Sequence, residues 1–104
     1  MSAPDPKPAG LSVFFPAYND SGTIASMVIR AVKAASEVTS DYEVIVVNDG
    51  SADATAQIAD ELAHTYSHVR VIHHPGNMGY GGALQTGFRS ATKELIFYTD
   101  GDAQ

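Results

Sequence analysis

A regular alternation of short apolar runs with helical stripes is the feature that most constrains how this chain folds. Four runs rich in β-branched and aromatic residues lack the polar residue at every second position that a half-exposed strand would carry. They cover residues 11–15, 42–47, 69–72 and 95–98. Such runs are typical of strands buried on both faces of a parallel sheet. The segments between them repeat apolar residues at helical spacing, as in residues 24–35.

The resulting order, β-α-β-α-β-α-β, predicts an α/β fold. Because β-α-β connections are right-handed, we expect one parallel sheet between helical layers, a three-layer α/β/α arrangement of Rossmann-like type. We expect Asp20 or Ser21 to cap the first helix, Ser51 to cap the second and Asn77 to cap the third. Residues 1–10 hold three prolines and predict a disordered leader, which leaves residues 11–104 as the folded unit.

Composition excludes several classes of function. Twelve acidic residues against six basic ones give a net charge of −6, which argues against a nucleic-acid partner. Cysteine is absent, so disulfides and thiolate metal sites are excluded. No apolar run approaches the roughly 18–20 residues of a membrane span, and we expect a cytoplasmic location. The phosphate-loop motif G-x-x-x-x-G-K-[ST] and the nucleophile elbow G-x-S-x-G are also missing from the sequence.

Four polar segments follow the four predicted strands, at residues 16–20, 48–51, 73–77 and 100–104. The carboxyl ends of parallel strands share one edge of a sheet, and ligands bind in the crevice outside that edge. The segments carry four carboxylates there, namely Asp20, Asp49, Asp100 and Asp102. Clustered carboxylates demand a counter-cation, and hard divalent cations take carboxylate and amide oxygens as ligands. Asp100 and Asp102, with Gln104 beside them, fit such a metal site.

Each of these features also has a simpler interpretation. The Asp-Gly pairs at Asp49 and Asp100 are common in turns. Asn77 and the glycines that follow it can serve helix–sheet packing instead of close approach to a phosphate. For the adjacent His73 and His74 at a strand end, an ordinary loop position is favoured over a phosphate contact.

Taken together, four blocks of the sequence resemble family 2 glycosyltransferases of the GT-A fold. The blocks are FPAYND at residues 15–20, VNDGSADAT at 47–55, NMGYGGALQTG at 77–87 and DGDAQ at 100–104. Each block is weak alone, but four in this order and spacing are specific. The last two look most like the branch that glycosylates polyprenyl or dolichyl phosphate. Processive cellulose- or chitin-type synthases usually carry a lysine where Tyr80 stands.

The resemblance implies a role for each matching residue. Asp49 would accept a hydrogen bond from the base or ribose, and the family usually has glutamate where Asp20 stands. The implied nucleotide-binding residues are Pro16, Ala17, Tyr18, Asp20, Asn48, Asp49, Asp100 and Gly101. Those implied near the donor sugar are Asn77, Gly79 and Gly81. Those implied to hold Mg²⁺ or Mn²⁺ on the diphosphate are Asp100, Asp102 and Gln104.

The resemblance further implies metal-dependent binding of a UDP- or GDP-sugar. The sugar would be transferred with inversion to a polyprenyl or dolichyl phosphate, at the cytoplasmic face of a membrane. Residues 11–104 would be the nucleotide-sugar-binding half of a GT-A domain, ending after the D-x-D motif. The catalytic base would follow Gln104, so no catalytic residue is assigned here and we expect the isolated 104 residues to be inactive. We also expect self-association through a bare last strand.

Three alternatives belong to other classes. A nucleotide-binding module without catalysis would carry the same aspartates. A Rossmann-type oxidoreductase would place Asp49 on a ribose, but the segment after the first strand lacks the pattern G-x-G-x-x-G. A phospho-acceptor signalling domain would need an aspartate at the end of the third strand, where this chain has His73 and His74.

Overall fold

The computed structural model describes residues 9–99 and confirms the predicted element order. The strands are β1 (Leu11–Ala17), β2 (Tyr42–Asn48), β3 (Val69–His73) and β4 (Leu95–Tyr98), and the helices are α1 (Ile24–Val38), α2 (Thr55–Thr65) and α3 (Gly79–Ser90). All strand pairs are parallel, and the sheet order is β3-β2-β1-β4. The predicted three-layer α/β/α fold is therefore confirmed.

The strand order reverses between β1 and β4. From β1 the chain moves outward through β2 to β3, and then crosses back to place β4 on the other side of β1. The β1–β4 pairing begins at Leu11 with Leu95 and ends at Phe14 with Tyr98, whereas β1 continues to Ala17. In open α/β sheets such a reversal is the switch point where ligands bind, so the carboxyl end of β1 is the place to look for a site.

Each face of the sheet has its own core because successive side chains of a strand point to opposite faces. On one face α1 and α2 pack over the strands, with Phe15, Val44 and Val46 fully buried. On the other face α3 packs against Phe14, Ile45 and Val47. A side chain at Gly87 of α3 would overlap the Phe14 ring, so glycine here lets the helix lie directly on the sheet. Burial on both faces explains the unbroken apolar runs of β1 and β2.

The predicted burial of β4 is wrong. All four of its side chains are exposed, from 40% for Ile96 to 63% for Phe97. The strand lies at an edge of the sheet, and α1 stops short of it, which leaves an apolar groove of about 530 Å³ between them. Tyr98 does stack on Phe14 on the α3 side, with ring centroids 5.6 Å apart.

The helix starts differ from the predicted caps. Helix α1 begins at Ile24, and the backbone carbonyl of Asp20, not a side chain, accepts the N–H groups of Thr23 and Ile24. Helix α2 begins at Thr55, four residues after Ser51. The Ser51 hydroxyl accepts the N–H of Asn19 in the neighbouring loop instead, and the Asp20 carboxylate accepts the N–H of Tyr18 within its own loop. The third prediction is closer, because the Asn77 Oδ1 accepts the N–H of Gly79 at 2.9 Å, one residue before the cap position.

At the amino-terminal end of the sheet, Glu43 forms the centre of a buried polar cluster. Its carboxylate accepts hydrogen bonds from Ser12 Oγ at 2.6 Å, Arg70 Nε at 3.0 Å and both the N–H and the hydroxyl of Thr92 at 2.8 and 2.9 Å. The cluster joins three strands to the α3–β4 connection. Burial alone raises the pKa of Glu43, but the bonds from Ser12, Thr92 and Arg70 outweigh it and lower the pKa to about 2.

The depressed pKa predicts acid-sensitive stability. Taking the ordinary value of 4.5 for the unfolded chain, Glu43 contributes stability that is complete above pH 4.5 and is lost as the pH falls towards 2. The contribution is about 3 kcal/mol. Glu43→Gln should therefore lower the free energy of unfolding at pH 7 and flatten its pH dependence between pH 2 and 5, as measured by urea unfolding.

Glu61→Gln, on the exposed surface of α2, is the matched control and should follow the wild-type pH curve. A Glu43→Gln curve that runs parallel to wild type over this pH range would contradict the assignment of the acid sensitivity to Glu43.

Candidate functional site

The loops that follow β1 and β2 are bonded to each other by polar side chains. Asn19 adopts a left-handed backbone with φ of 52°, donates its N–H to Ser51 Oγ at 3.0 Å and accepts the N–H of Ala52 on its Oδ1 at 2.8 Å. The N–H of Asp20 donates to Thr55 Oγ1 at 2.8 Å. Ser51 thus organises the neighbouring loop instead of capping its own helix.

Asp53 strengthens the same junction. Its carboxylate accepts the hydroxyl and the N–H of Thr55 and the N–H of Ser21. These bonds, with those from Thr55 the largest, lower the pKa of Asp53 to about 2. Asp53 is therefore an ionised organiser of the two loops.

A second junction forms around Asp49, which is 4% exposed at the end of β2. Its Oδ1 lies 2.8 Å from His74 Nδ1 and accepts the N–H of Met78 at 2.8 Å, and its Oδ2 accepts the N–H of Gly79 at 3.0 Å. Burial raises the pKa of Asp49, but the hydrogen bonds from His74 and the two backbone groups lower it below its usual value. This carboxylate fixes the start of α3 to the end of β2.

His74 lies in the loop after β3, as the sequence favoured, but its side chain is buried. It is 8% exposed, and its second ring nitrogen, Nε2, lies 2.7 Å from Thr86 Oγ1 in α3. Its neighbour His73 is exposed and lies 2.7 Å from Asp60 in α2. The two histidines therefore point to opposite faces, as successive residues at the end of a strand do.

Gly50 allows the turn after β2 to pack on the loop before α3. Its φ is +71°, and a Cβ there would overlap the backbone of Gly76 and Asn77. A residue with a side chain at this position would destabilise the fold in two ways, through strain in the left-handed backbone and through displacement of that loop.

These junctions shape a pocket of about 210 Å³ at the carboxyl end of the sheet. Its walls come from the end of β1, the end of β2 and the start of α3. Seven residues line it: Pro16, Tyr18, Asp20, Asp49, Asn77, Gly79 and Tyr80. The first six are residues that the sequence assigns to nucleotide or donor-sugar binding. Tyr80 is not among the assigned residues, although its place in a glycine-rich helix start was a signal that could have indicated it.

The remaining assigned residues lie elsewhere. Ala17 is buried in the core under α1 and α2, and Asn48 is occupied by hydrogen bonds to His73 Nδ1 at 2.9 Å and from the Ser51 N–H at 3.2 Å. Gly81 lies in the first turn of α3 but not in the pocket wall. The other four, Asp100, Gly101, Asp102 and Gln104, lie outside the described residues, and their roles stay predictions.

Within residues 9–99, no group of three His, Asp or Glu side chains is arranged to hold a metal ion. The predicted ligands all follow Thr99, whose N–H donates to the carbonyl of Phe14 in β1 at 3.2 Å. Thr99, the last described residue, is thus bonded to the strand that ends at the pocket. Across the same described range, no helix combines the length and the apolar character needed to cross a membrane.

Comparison with known proteins identifies the family. Residues 12–104 match the family described as glycosyl transferase family 2, and the chain belongs to it. A dolichyl-phosphate beta-glucosyltransferase of Trichomonas vaginalis is 39% identical over 92 residues, which is 84% of this chain and 27% of that protein. An undecaprenyl-phosphate 4-deoxy-4-formamido-L-arabinose transferase of Proteus mirabilis is 33% identical over 95 residues, which is 90% of this chain and 29% of that protein.

The fold also matches a solved glycosyltransferase. A mannosyltransferase from Pyrobaculum calidifontis, in complex with GDP-Man and Mn²⁺, superimposes with a TM-score of 0.80 at 26% identity, over 93% of this chain and 29% of that one. The chain thus spans less than a third of the length of these three proteins.

The Gly50 contact predicts a sharp effect of one methyl group. Gly50→Ala should lower the free energy of unfolding by about 2–4 kcal/mol, because strain and overlap add. It should also shift the amide resonances of Asn77 and Met78 in a heteronuclear NMR spectrum.

Gly22→Ala is the matched control, because a Cβ there meets nothing within 4 Å. Its stability should stay within about 0.5 kcal/mol of wild type. Equal stabilities of the two alanine variants would refute the close packing of the two loops.

Proposed function

We propose that this chain forms the nucleotide-sugar-binding part of a glycosyltransferase that transfers sugar from a UDP- or GDP-sugar to a polyprenyl or dolichyl phosphate. One observation carries the proposal: six residues assigned from the sequence, drawn from three separate segments, line a single pocket beside the switch point of the sheet. Family membership supports the reaction class.

The pocket has the chemistry to hold a base and ribose. Asp49 Oδ1 already has two partners but Oδ2 has one, so Oδ2 keeps one lone pair for a donor on the ligand. Pro16 and Tyr18 provide apolar surface for the base, and Asp20 provides a second carboxylate for hydroxyl groups. Asn77 and Gly79, with Gly81 nearby, would border the donor sugar.

The metal ligands in this proposal are Asp100, Asp102 and Gln104. Two carboxylates and an amide oxygen are ligands that Mg²⁺ and Mn²⁺ accept, and the Pyrobaculum relative was solved with Mn²⁺. A divalent cation bound there would stabilise the charge that develops on the leaving diphosphate. Asp100 and Gly101 would also contact the nucleotide.

The acceptor is proposed from the two curated relatives, whose names specify dolichyl phosphate and undecaprenyl phosphate. A phosphate acceptor is already anionic and needs less help from a general base. Such a lipid would bring the enzyme to the cytoplasmic face of a membrane. Since the relatives are more than three times as long, we propose that the base and acceptor site need sequence beyond these 104 residues.

Calorimetric titration of the 104-residue chain with UDP and GDP, with and without Mn²⁺, tests the proposal. One nucleotide should bind, and Mn²⁺ should tighten it. Asp102→Asn should remove the effect of Mn²⁺, whereas Asp41→Asn, at the opposite end of the sheet, should leave it unchanged. A radiolabelled sugar nucleotide should bind without transfer to a polyprenyl phosphate. Failure of both nucleotides to bind with Mn²⁺ present would overturn the proposal.

We further propose that the isolated chain self-associates through β4. No strand among residues 9–99 pairs with its outer side, and its four apolar side chains are exposed beside the apolar groove. Light scattering of concentrated protein should show dimers or larger species, and Phe97→Lys should return the chain to a monomer. Ile29→Lys, on an exposed position of α1 outside the groove, should not. A wild-type monomer at high concentration would refute this contact.

A further inference from the structure

Two half-exposed tyrosines line the candidate pocket. Tyr18, in the loop after β1, is 48% exposed, and Tyr80, in the first turn of α3, is 52% exposed. An aromatic ring that borders a concave site and keeps half of its surface in solvent has apolar area left for a ligand to cover.

The backbone that carries Tyr80 is held in place. Asp49 binds the N–H groups of Met78 and Gly79, and the Asn77 side chain binds the same Gly79 N–H. The space at the two flanking glycines is open, because a Cβ at Gly79 or Gly81 would meet no other segment within 4 Å. The ring therefore starts from a fixed anchor and has open space beside it.

The charge of the pocket makes this apolar surface important. Its lining includes the carboxylates of Asp20 and Asp49 but no Lys or Arg from the described part of the chain. An anionic nucleotide therefore gains no attraction from basic side chains of this lining. Contact with the neutral base is the interaction that such a pocket can offer, and bases stack on aromatic rings whatever their identity.

We propose that Tyr80 is a nucleobase-binding residue whose ring, together with that of Tyr18, packs against the base of the bound nucleotide. The inference rests on the proposed function and adds to it a contact from α3 that the sequence motifs do not assign. It makes α3 part of the base site as well as a border of the donor sugar.

The test compares Tyr80→Leu with Tyr80→Phe in the 104-residue chain, using UDP and GDP with Mn²⁺ in calorimetry. Tyr80→Leu should weaken the nucleotide that binds wild type by about tenfold, within the range expected for loss of one stacked ring. Tyr80→Phe keeps the ring and should stay within about twofold of wild type. Inorganic pyrophosphate with Mn²⁺, which has no base, should bind all three proteins equally.

Phe88→Leu is the matched control for the helix itself. It removes an aromatic ring from α3 that packs on Phe14 at 5.1 Å and does not line the pocket, so nucleotide affinity should stay near wild type. NMR gives a second readout: the base protons of the bound nucleotide should shift upfield in wild type and less in Tyr80→Leu.

The outcomes separate the two proposals. If wild type binds neither nucleotide, nucleotide binding and this inference fail together. If wild type binds and Tyr80→Leu binds equally well, only the role of Tyr80 is refuted. If Tyr80→Phe weakens binding as much as Tyr80→Leu, the phenol hydroxyl makes the contact and the stacking proposal is overturned. Weaker pyrophosphate binding by Tyr80→Leu would also overturn it, because the loss would not depend on the base.

Discussion

The carboxylate of Asp49 is the interaction on which the candidate site depends. It is buried at the end of a central strand and holds an imidazole and two backbone N–H groups. Each donor reduces the cost of keeping the charge out of water, so the carboxylate stays ionised with a lowered pKa. Because those donors belong to the end of β3 and the start of α3, one side chain positions two segments that lie 25 to 30 residues further along the chain.

The loops on the other side of the pocket are also joined by polar side chains, but these are exposed. Asn19, Ser51 and Asp53 exchange hydrogen bonds between the turns after β1 and β2. Gly50 then brings the second turn against the loop before α3. The pocket is thus built from contacts between connections, whereas the sheet and helices behind it are held by apolar packing. Glu43 provides a comparable buried charge at the opposite end of the sheet, away from the pocket.

The fold could be predicted because strands that are buried on both faces, as β1 and β2 are, have unbroken apolar runs in the sequence. The composition of Leu95–Tyr98 does not reveal the exposure of β4, since it is that of a buried strand, and the bare last strand was expected only from the resemblance to a larger domain. The cap at Ser51 was mispredicted because its hydroxyl bonds to the loop after β1, a partner that local sequence does not reveal. At the start of α1 the backbone carbonyl of Asp20 takes the place of a capping side chain. Ala17 does not reach the pocket, because side chains alternate between the two faces of a strand and that of Ala17 points into the core beneath α1 and α2. The buried bonds of His74 were missed because it belongs to none of the four blocks, and Tyr80 was missed because its block was assigned through its asparagine and glycines.

The contact between Gly87 and Phe14 has a consequence for how a ligand meets the pocket. Gly87 lies two turns along α3 from Gly79, and the helix there rests on the strand with no room for even a methyl group. The helix is therefore held at its first turn by Asp49 and at its last turn by the Phe14 ring, and it has little freedom to tilt or slide. The start of α3 therefore has the same position before and after a ligand binds, and association costs little entropy for ordering this side of the pocket.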